Sequence, residues 1–189
     1  MAGKIIAAGH ICLDITPVFS PDRRTDSVSG LLVPGKLINV GRAEVHTGGS
    51  VANTGLALKR LGNDVRLLGK VGNDEFGSLV RQIAEQNGVD GLTVDENSST
   101  SYSVVLALPG IDRIFLHDPG ANDSFCADDV PEDALNGCAL FHFGYPPIMK
   151  RMFEDKGSEL VRMFSRVKAH GTATSLDLAA VDPDSEAGR

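Results

Sequence analysis

The residues best suited to chemistry are a carboxylate at Asp14 and the run "HTGGSVANTGLALKRLG" from His46 to Gly62. Gly48 and Gly49 allow backbone conformations closed to other residues and let a ligand approach the main chain closely. Asn53 adds an amide that both donates and accepts from the first turn of the helix that follows. Together these groups suit a neutral ligand rich in hydroxyls. The same residues also serve as a tight turn and a helix start, and the sequence alone leaves the two readings level. Asp14 lies just beyond a first apolar run, where open α/β sheets place their ligands, at the carboxyl ends of strands. It is there either a cap or turn aspartate or an acceptor for two neighbouring hydroxyls.

Other candidate motifs fail on spacing. "GLLVPGKL", Gly30 to Leu37, nearly spells the phosphate loop GxxxxGK, but Leu37 stands where a magnesium-binding hydroxyl is required and no strand-to-helix turn is indicated. "GKVGNDEFG" does not have the glycine spacing of a dinucleotide fingerprint.

These groups need a frame, and hydrophobic periodicity supplies one. Lys4 to Ala8 reads as a buried strand, Val51 to Leu61 as a helix with Val51, Leu58 and Leu61 on one face, and "VRLLGKVG" as the next strand. "DEFGSLVRQIAEQNG" follows as a helix burying Phe76, Leu79, Val80 and Ile83, with acidic residues in its first turn. Strand, helix, strand, helix predicts an α/β fold with a parallel sheet flanked by helices. Pro17 to Val45 departs from that order as a strand-and-loop excursion. "SYSVVLALPGIDRIFLHD" reads as a hairpin around Pro109-Gly110. "ALFHFG" is a further buried strand, Ile148 to Lys168 a helix burying Phe153, Leu160, Val161 and Phe164, and "ATSLDLA" a last strand before the polar segment "VDPDSEAGR".

Composition narrows the class. At 189 residues with 42% hydrophobic and 23% charged, the chain is expected to form one globular domain. Its formal charge of −7 disfavours nucleic acid as a partner. No run approaches the roughly 20 apolar residues of a membrane span. Cys12, Cys126 and Cys138 form no CxxC pair, so they read as buried thiols of a reducing, cytoplasmic setting, in which the sequons at Asn97 and Asn122 carry no meaning.

"GGSVANTGLALKRLG" followed by "GKVGNDEFG" resembles the first signature of the ribokinase-like, or PfkB, sugar kinases: Gly48, Gly49, Asn53, Gly55, Gly62 and Gly72 stand at its positions. Gly55 replaces the usual Ser, Thr or Ala, a departure expected to leave sugar contact intact. "GHICLDI" resembles the family's first strand with its sugar-binding aspartate, Asp14. "DRIFLHDPGAND" resembles the lid strand and the turn after it, and "SLDLAAVDP" the strand and turn before the nucleotide half.

The resemblance implies a ribokinase-like, mostly parallel sheet with a small β-sheet lid, built from segments at about 15–46 and 100–118. It implies that Asp14, Gly48, Gly49 and Asn53 hold sugar hydroxyls, and strand alternation aims Ser103 and Val105 at the same pocket. The position after "LFHFG", often polar in the family, is Gly144-Tyr145 here. Arg113 and His117 are expected to be solvated lid residues rather than contacts for an anionic substrate. ATP and Mg2+ are the implied cofactors, and a homodimer through the lid the implied assembly. The second family signature, Asp-x-x-Gly-Ala-Gly-Asp with its catalytic aspartate, does not occur, so no catalytic residue is assigned. The expectation is a chain that supplies the sugar half alone, inactive and poorly soluble by itself. Two alternatives stand beside it. One is a non-catalytic sugar-binding protein. The other is a kinase of a nucleoside or vitamin-like alcohol, which would call for a stacking ring such as Phe19 or Tyr102.

Overall fold

The computed structural model describes residues 3–180 and 183–188. Four parallel strands form its central sheet: β1 (Lys4–Gly9), β4 (Val65–Leu68), β9 (Cys138–Gly144) and β10 (Ala173–Asp177), in the order β10-β9-β1-β4. Period-two alternation sends Ile6 and Ala8 of β1 to one face with Phe141 and Phe143 of β9, and Ala7 to the other with Leu67. Both faces of β1 and β9 are covered, which is why those strands are mainly apolar, while the edge strand β10 is largely exposed. Helix α5 (Lys150–Ala169) buries Met152, Met163 and Val167 against the first face. Helices α2 (Gly49–Arg60) and α3 (Glu75–Gln86) cover the second with Val51, Ala52, Leu56, Val80 and Ala84.

A second sheet stands off the first. Its strands are β2 (Cys12–Thr16), β3 (Glu44–Gly48), β7 (Tyr102–Leu106) and β8 (Ile114–Asp118), in the order β3-β2-β7-β8. The β7–β8 pair is the expected antiparallel hairpin. Two short strands, β5 (Lys70–Gly72) and β6 (Thr93–Asp95), pair parallel, and the short helices α1 (Val28–Leu31) and α4 (Glu132–Leu135) complete the set.

The sheets are tied together at Asn122, which is fully buried: its Oδ1 accepts from Ile11 N at 3.1 Å and its Nδ2 donates to Ile11 O at 2.9 Å. Asp74 makes a second tie as the N-cap of α3. Its Oδ1 accepts from Gly77 N and Thr100 Oγ1, and its Oδ2 from Thr100 N, at 2.6 to 2.7 Å. Burial pushes this carboxyl up, but those hydrogen bonds outweigh it and hold the group below the usual carboxylate range.

Several expectations are corrected. Val65 to Gly72 is not one strand: the chain breaks at Gly69, where a Cβ would lie 3.0 Å from Ile11 Cγ2, and passes from the central sheet to the β5–β6 pair. Leu61 and Val161 are 79% and 64% exposed, because α2 buries Val51, Ala52, Gly55 and Leu56 and α5 turns Met163 and Val167 inward. Phe76 also lies largely outside the core, edge-on to Tyr102. The last long helix begins at Lys150 after a 3₁₀ turn at Pro146–Ile148, and its helical backbone is interrupted from Glu154 to Gly157. The excursion holds α1 and β3, and "LINVG" forms no strand. Within the expected final turn, Val181 and Asp182 lie outside the described residues.

Candidate functional site

Asp14 does not sit at the end of β1 but on β2, a strand of the second sheet. The chain turns between them at Gly9, whose φ is +119° and whose Cβ, if present, would come within 2.4 Å of Gly144 O. Only glycine passes there, and the turn carries Asp14 out over the carboxyl end of the central sheet.

Registers across the second sheet align four residues in one row: His46 of β3, Asp14 of β2, Ser103 of β7 and His117 of β8. Directly opposed residues share a face, so the four side chains emerge together. Asp14 is half-buried, and its Oδ1 accepts from Cys12 Sγ at 3.4 Å. Its carboxylate lies over the Cα of Gly48, where a Cβ would stand 2.2 Å from Oδ2. Gly48 itself has an ordinary extended backbone, φ −117°. The carboxylate, not the turn, requires glycine there. Gly49 is different: its φ is +82°, and a Cβ would also strike His10 O at 2.4 Å. No loop separates β3 from α2, because Gly48 closes the strand and Gly49 opens the helix.

Asn53, one turn into α2, is exposed and within hydrogen-bonding reach of the Tyr145 side chain. Tyr145 follows β9 in a left-handed conformation, φ 68°, an unusual state for a bulky residue. Burial and then the charge of Asp177 push its phenol up, so the hydroxyl keeps its proton near neutrality. Ser103 is 6% exposed, with Oγ 3.0 Å from His117 Nδ1. Val105 lies one row outward, opposite Phe115. Thus Asp14, Gly48, Gly49, Asn53 and Ser103 converge, and Val105 borders them. Gly55 does not join them: its Cα faces the central sheet, where a Cβ would lie 2.3 Å from Leu67 Cδ2.

Sequence reasoning missed His10 and Phe115. His10 is 2% exposed and its Nε2 lies 3.3 Å from His117 Nε2. Burial, then the neighbouring His117, pushes His10 down to about 3, and burial lowers His117 as well. His117 leaves much of its surface in solvent, as expected, while its two ring nitrogens turn inward to partners. Phe115 is 54% exposed on the Asp14 face with the Arg113 guanidinium 5.5 Å from its ring centre. No periodic signal marks a lone histidine at a strand-to-strand turn. Phe115 could have been found by carrying the Ser103 and Val105 alternation across the hairpin.

Phe19 is buried, and Tyr102 emerges on the opposite face from Ser103, so neither offers a ring to the site. The site is therefore a carboxylate among neutral donors and acceptors, a combination that matches hydroxyls.

A family model described as pfkB family carbohydrate kinase matches residues 11–186. Fructokinase of Solanum tuberosum is 28% identical over 147 residues, which cover 76% of this chain and 42% of that protein. Fructokinase-1 of Zea mays is 27% identical over 144 residues, 74% of this chain and 41% of that one. The chain thus spans about two fifths of the length of these curated relatives. Among solved structures, fructokinase from Xylella fastidiosa with bound ATP matches with a TM-score of 0.73 at 20% identity, over 99% of this chain and 57% of that one. A protein called Sa239 matches with a TM-score of 0.76 at 18% identity, over 96% and 56%. At these identities the structures establish the ribokinase-like fold.

Proposed function

The chain belongs to the pfkB family of carbohydrate kinases, and on that premise we propose that it supplies the sugar-binding half of an enzyme that phosphorylates a sugar hydroxyl from ATP. The observation that carries this reading is the Asp14 carboxylate resting on Gly48, with Ser103 beside it in the same row and Asn53 on the adjoining helix. Asp14, Gly48, Gly49, Asn53 and Ser103 are the proposed sugar contacts, with Val105 at the border. An acceptor-only carboxylate can take hydrogen bonds from two neighbouring hydroxyls, and no cationic side chain completes the row for an anionic substrate. D-fructose is the proposed substrate, because several relatives are named fructokinases.

ATP and Mg2+ are the proposed cofactors of the whole enzyme. Among the described residues no group of three or more His, Cys, Asp or Glu side chains could hold a metal ion. Gly30 to Leu37 forms the end of a short helix and a turn rather than a phosphate cradle. The second sheet is the proposed lid. Its far face, with Val45 40% and Leu116 55% exposed, is the proposed dimer surface. No described helix is long and apolar enough to cross a membrane. The three cysteines are free and buried, which fits the reducing setting of the proposed cytoplasmic location.

The test is calorimetric titration with D-fructose, D-gluconate and adenosine, together with an assay of ADP release. The reading expects D-fructose to bind and Asp14→Ala to weaken binding by about 30-fold or more. Binding of adenosine alone, through Phe115, would replace it with the nucleoside reading. Sugar binding without turnover is expected of this chain by itself; the same outcome for the whole enzyme with ATP and Mg2+ would favour a sugar-binding protein without kinase activity.

A further inference from the structure

Resting on the sugar reading above, we propose that His10 and His117 are positioning residues that fix hydrogen-bond direction on the lid side of the site. They make Ser103 present its hydroxyl proton to the substrate beside acceptor-only Asp14, so that the pair takes a neutral vicinal diol.

The argument starts at the buried end. His10 Nε2 and His117 Nε2 face each other at 3.3 Å, and a contact between two ring nitrogens is a hydrogen bond only if one carries a proton and the other does not. His10 Nδ1 has no partner and abuts Gly49, where a Cβ would lie 2.7 Å away. A proton there would be a buried, unpaired donor, a costlier arrangement than an idle lone pair. The His10 proton therefore sits on Nε2 and is donated to His117. His117 must accept at Nε2, so its own proton sits on Nδ1 and is donated to Ser103 Oγ at 3.0 Å. The carbonyl of Tyr102, which can only accept, also lies within reach of the His117 ring. Burial keeps both imidazoles neutral near pH 7, so this single-proton arrangement holds.

Ser103 Oγ, having accepted from His117, keeps its own hydrogen to give away. That hydrogen is within reach of Cys12 Sγ, a weak acceptor that a substrate hydroxyl replaces, while the Cys12 thiol donates to Asp14 Oδ1. The site thus offers one donor next to one pure acceptor on adjacent strands. Two neighbouring hydroxyls fit that pair, one donating to Asp14 and the next accepting from Ser103. With the opposite polarity both positions would accept, and the second oxygen would have to donate as well.

The test begins without ligand, with long-range proton–nitrogen correlation spectra of the imidazoles in the whole chain at pH 7.5. The expected tautomers are Nε2–H for His10 and Nδ1–H for His117. A His117 ring protonated at Nε2 overturns the proposal. D-fructose titration then separates positioning from mere packing. Ser103→Ala and His117→Phe should each weaken binding about tenfold, and the double variant should weaken it no further. His117→Asn, whose amide can stand where Nδ1 stands, should restore most of the affinity. Equal losses for the Asn and Phe variants, or additive losses in the double, overturn it. Failure of the wild-type chain to bind D-fructose refutes the sugar reading by itself, while the tautomers still decide the polarity.

Discussion

Replacing Gly48 with alanine should damage the site while sparing the fold. The new Cβ would stand 2.2 Å from Asp14 Oδ2 and 2.6 Å from Cγ, against a comfortable carbon–oxygen approach of about 3.3 Å. The backbone at Gly48 is extended, with φ −117° and ψ −173°, so alanine adopts it without strain. The strain falls on the carboxylate, which must recede by about 1 Å, enough to break a hydroxyl hydrogen bond of ordinary length. One hydrogen bond to a charged acceptor is worth about 2 kcal/mol, or about a 30-fold loss of D-fructose affinity. Unfolding free energy should move by less than about 1 kcal/mol. The decisive assay is a double-mutant cycle by calorimetry. In an Asp14→Ala background the methyl meets no carboxylate, so Gly48→Ala should there change whatever affinity remains by less than about threefold. The reasoning fails if the glycine substitution costs the same affinity in both backgrounds, or leaves the wild-type affinity untouched.

Three further outcomes concern stability. His10 sits at about 3 in the fold against about 6.5 unfolded, so the unfolded chain takes up a proton that the native chain refuses. Stability should fall as pH drops below 6.5, by about 2 kcal/mol at pH 5. Urea unfolding at pH 7.5 and 5 should show that share of the slope removed in His10→Gln, and an unchanged slope would contradict the assignment. Asn122→Ala strips both polar groups of Ile11 of their partner in a buried setting and should cost about 3 kcal/mol in chemical unfolding; a cost below about 1 kcal/mol would show that the tie is dispensable. Asp74→Asn should keep an oxygen on Gly77 N but set an NH2 donor against the Thr100 N–H that Oδ2 accepts, costing about 2 kcal/mol at pH 7. Because the native carboxyl is depressed, the wild-type advantage is full above about pH 4 and disappears as pH falls through the native value.

The layers of the central sheet were legible because they obey periodicity. "KIIAA" and "ALFHFG" are buried on both faces, and the amphipathic run from Glu75 covers one of them. The lid hairpin was legible because Pro109-Gly110 punctuates it. The split between β4 and β5 was not, since Val65 to Gly72 reads as one run, and Gly69 packs against Ile11, far away in sequence. Leu61 and Val161 show the same limit: a helix declares an apolar stripe, but its neighbours choose which residues of that stripe are covered. Types and spacing singled out Asp14, the glycine pair and Asn53 but left a turn and a ligand loop level, and the family resemblance alone proposed a sugar for them. Asn122 looked like a sequon without meaning, since its two bonds to Ile11, 111 positions away, exist only after the chain between them has folded back. His10 and His117 are equally distant, 107 positions apart, and no local pattern joins them.

The parallel pairing of β2 with β7 also bears on the order in which the molecule assembles. Leu13 pairs with Tyr102, about ninety residues along the chain, and everything between them, including β4, α2 and α3, must be compact before that contact gains more than its closure entropy costs. The second sheet is therefore expected to form late, on a finished core. In native-state hydrogen exchange its amides should open at lower free energy than those of β1 and β9, as a separate cooperative block. The sheet proposed to grip the substrate is then the part that most readily lets go of its own structure.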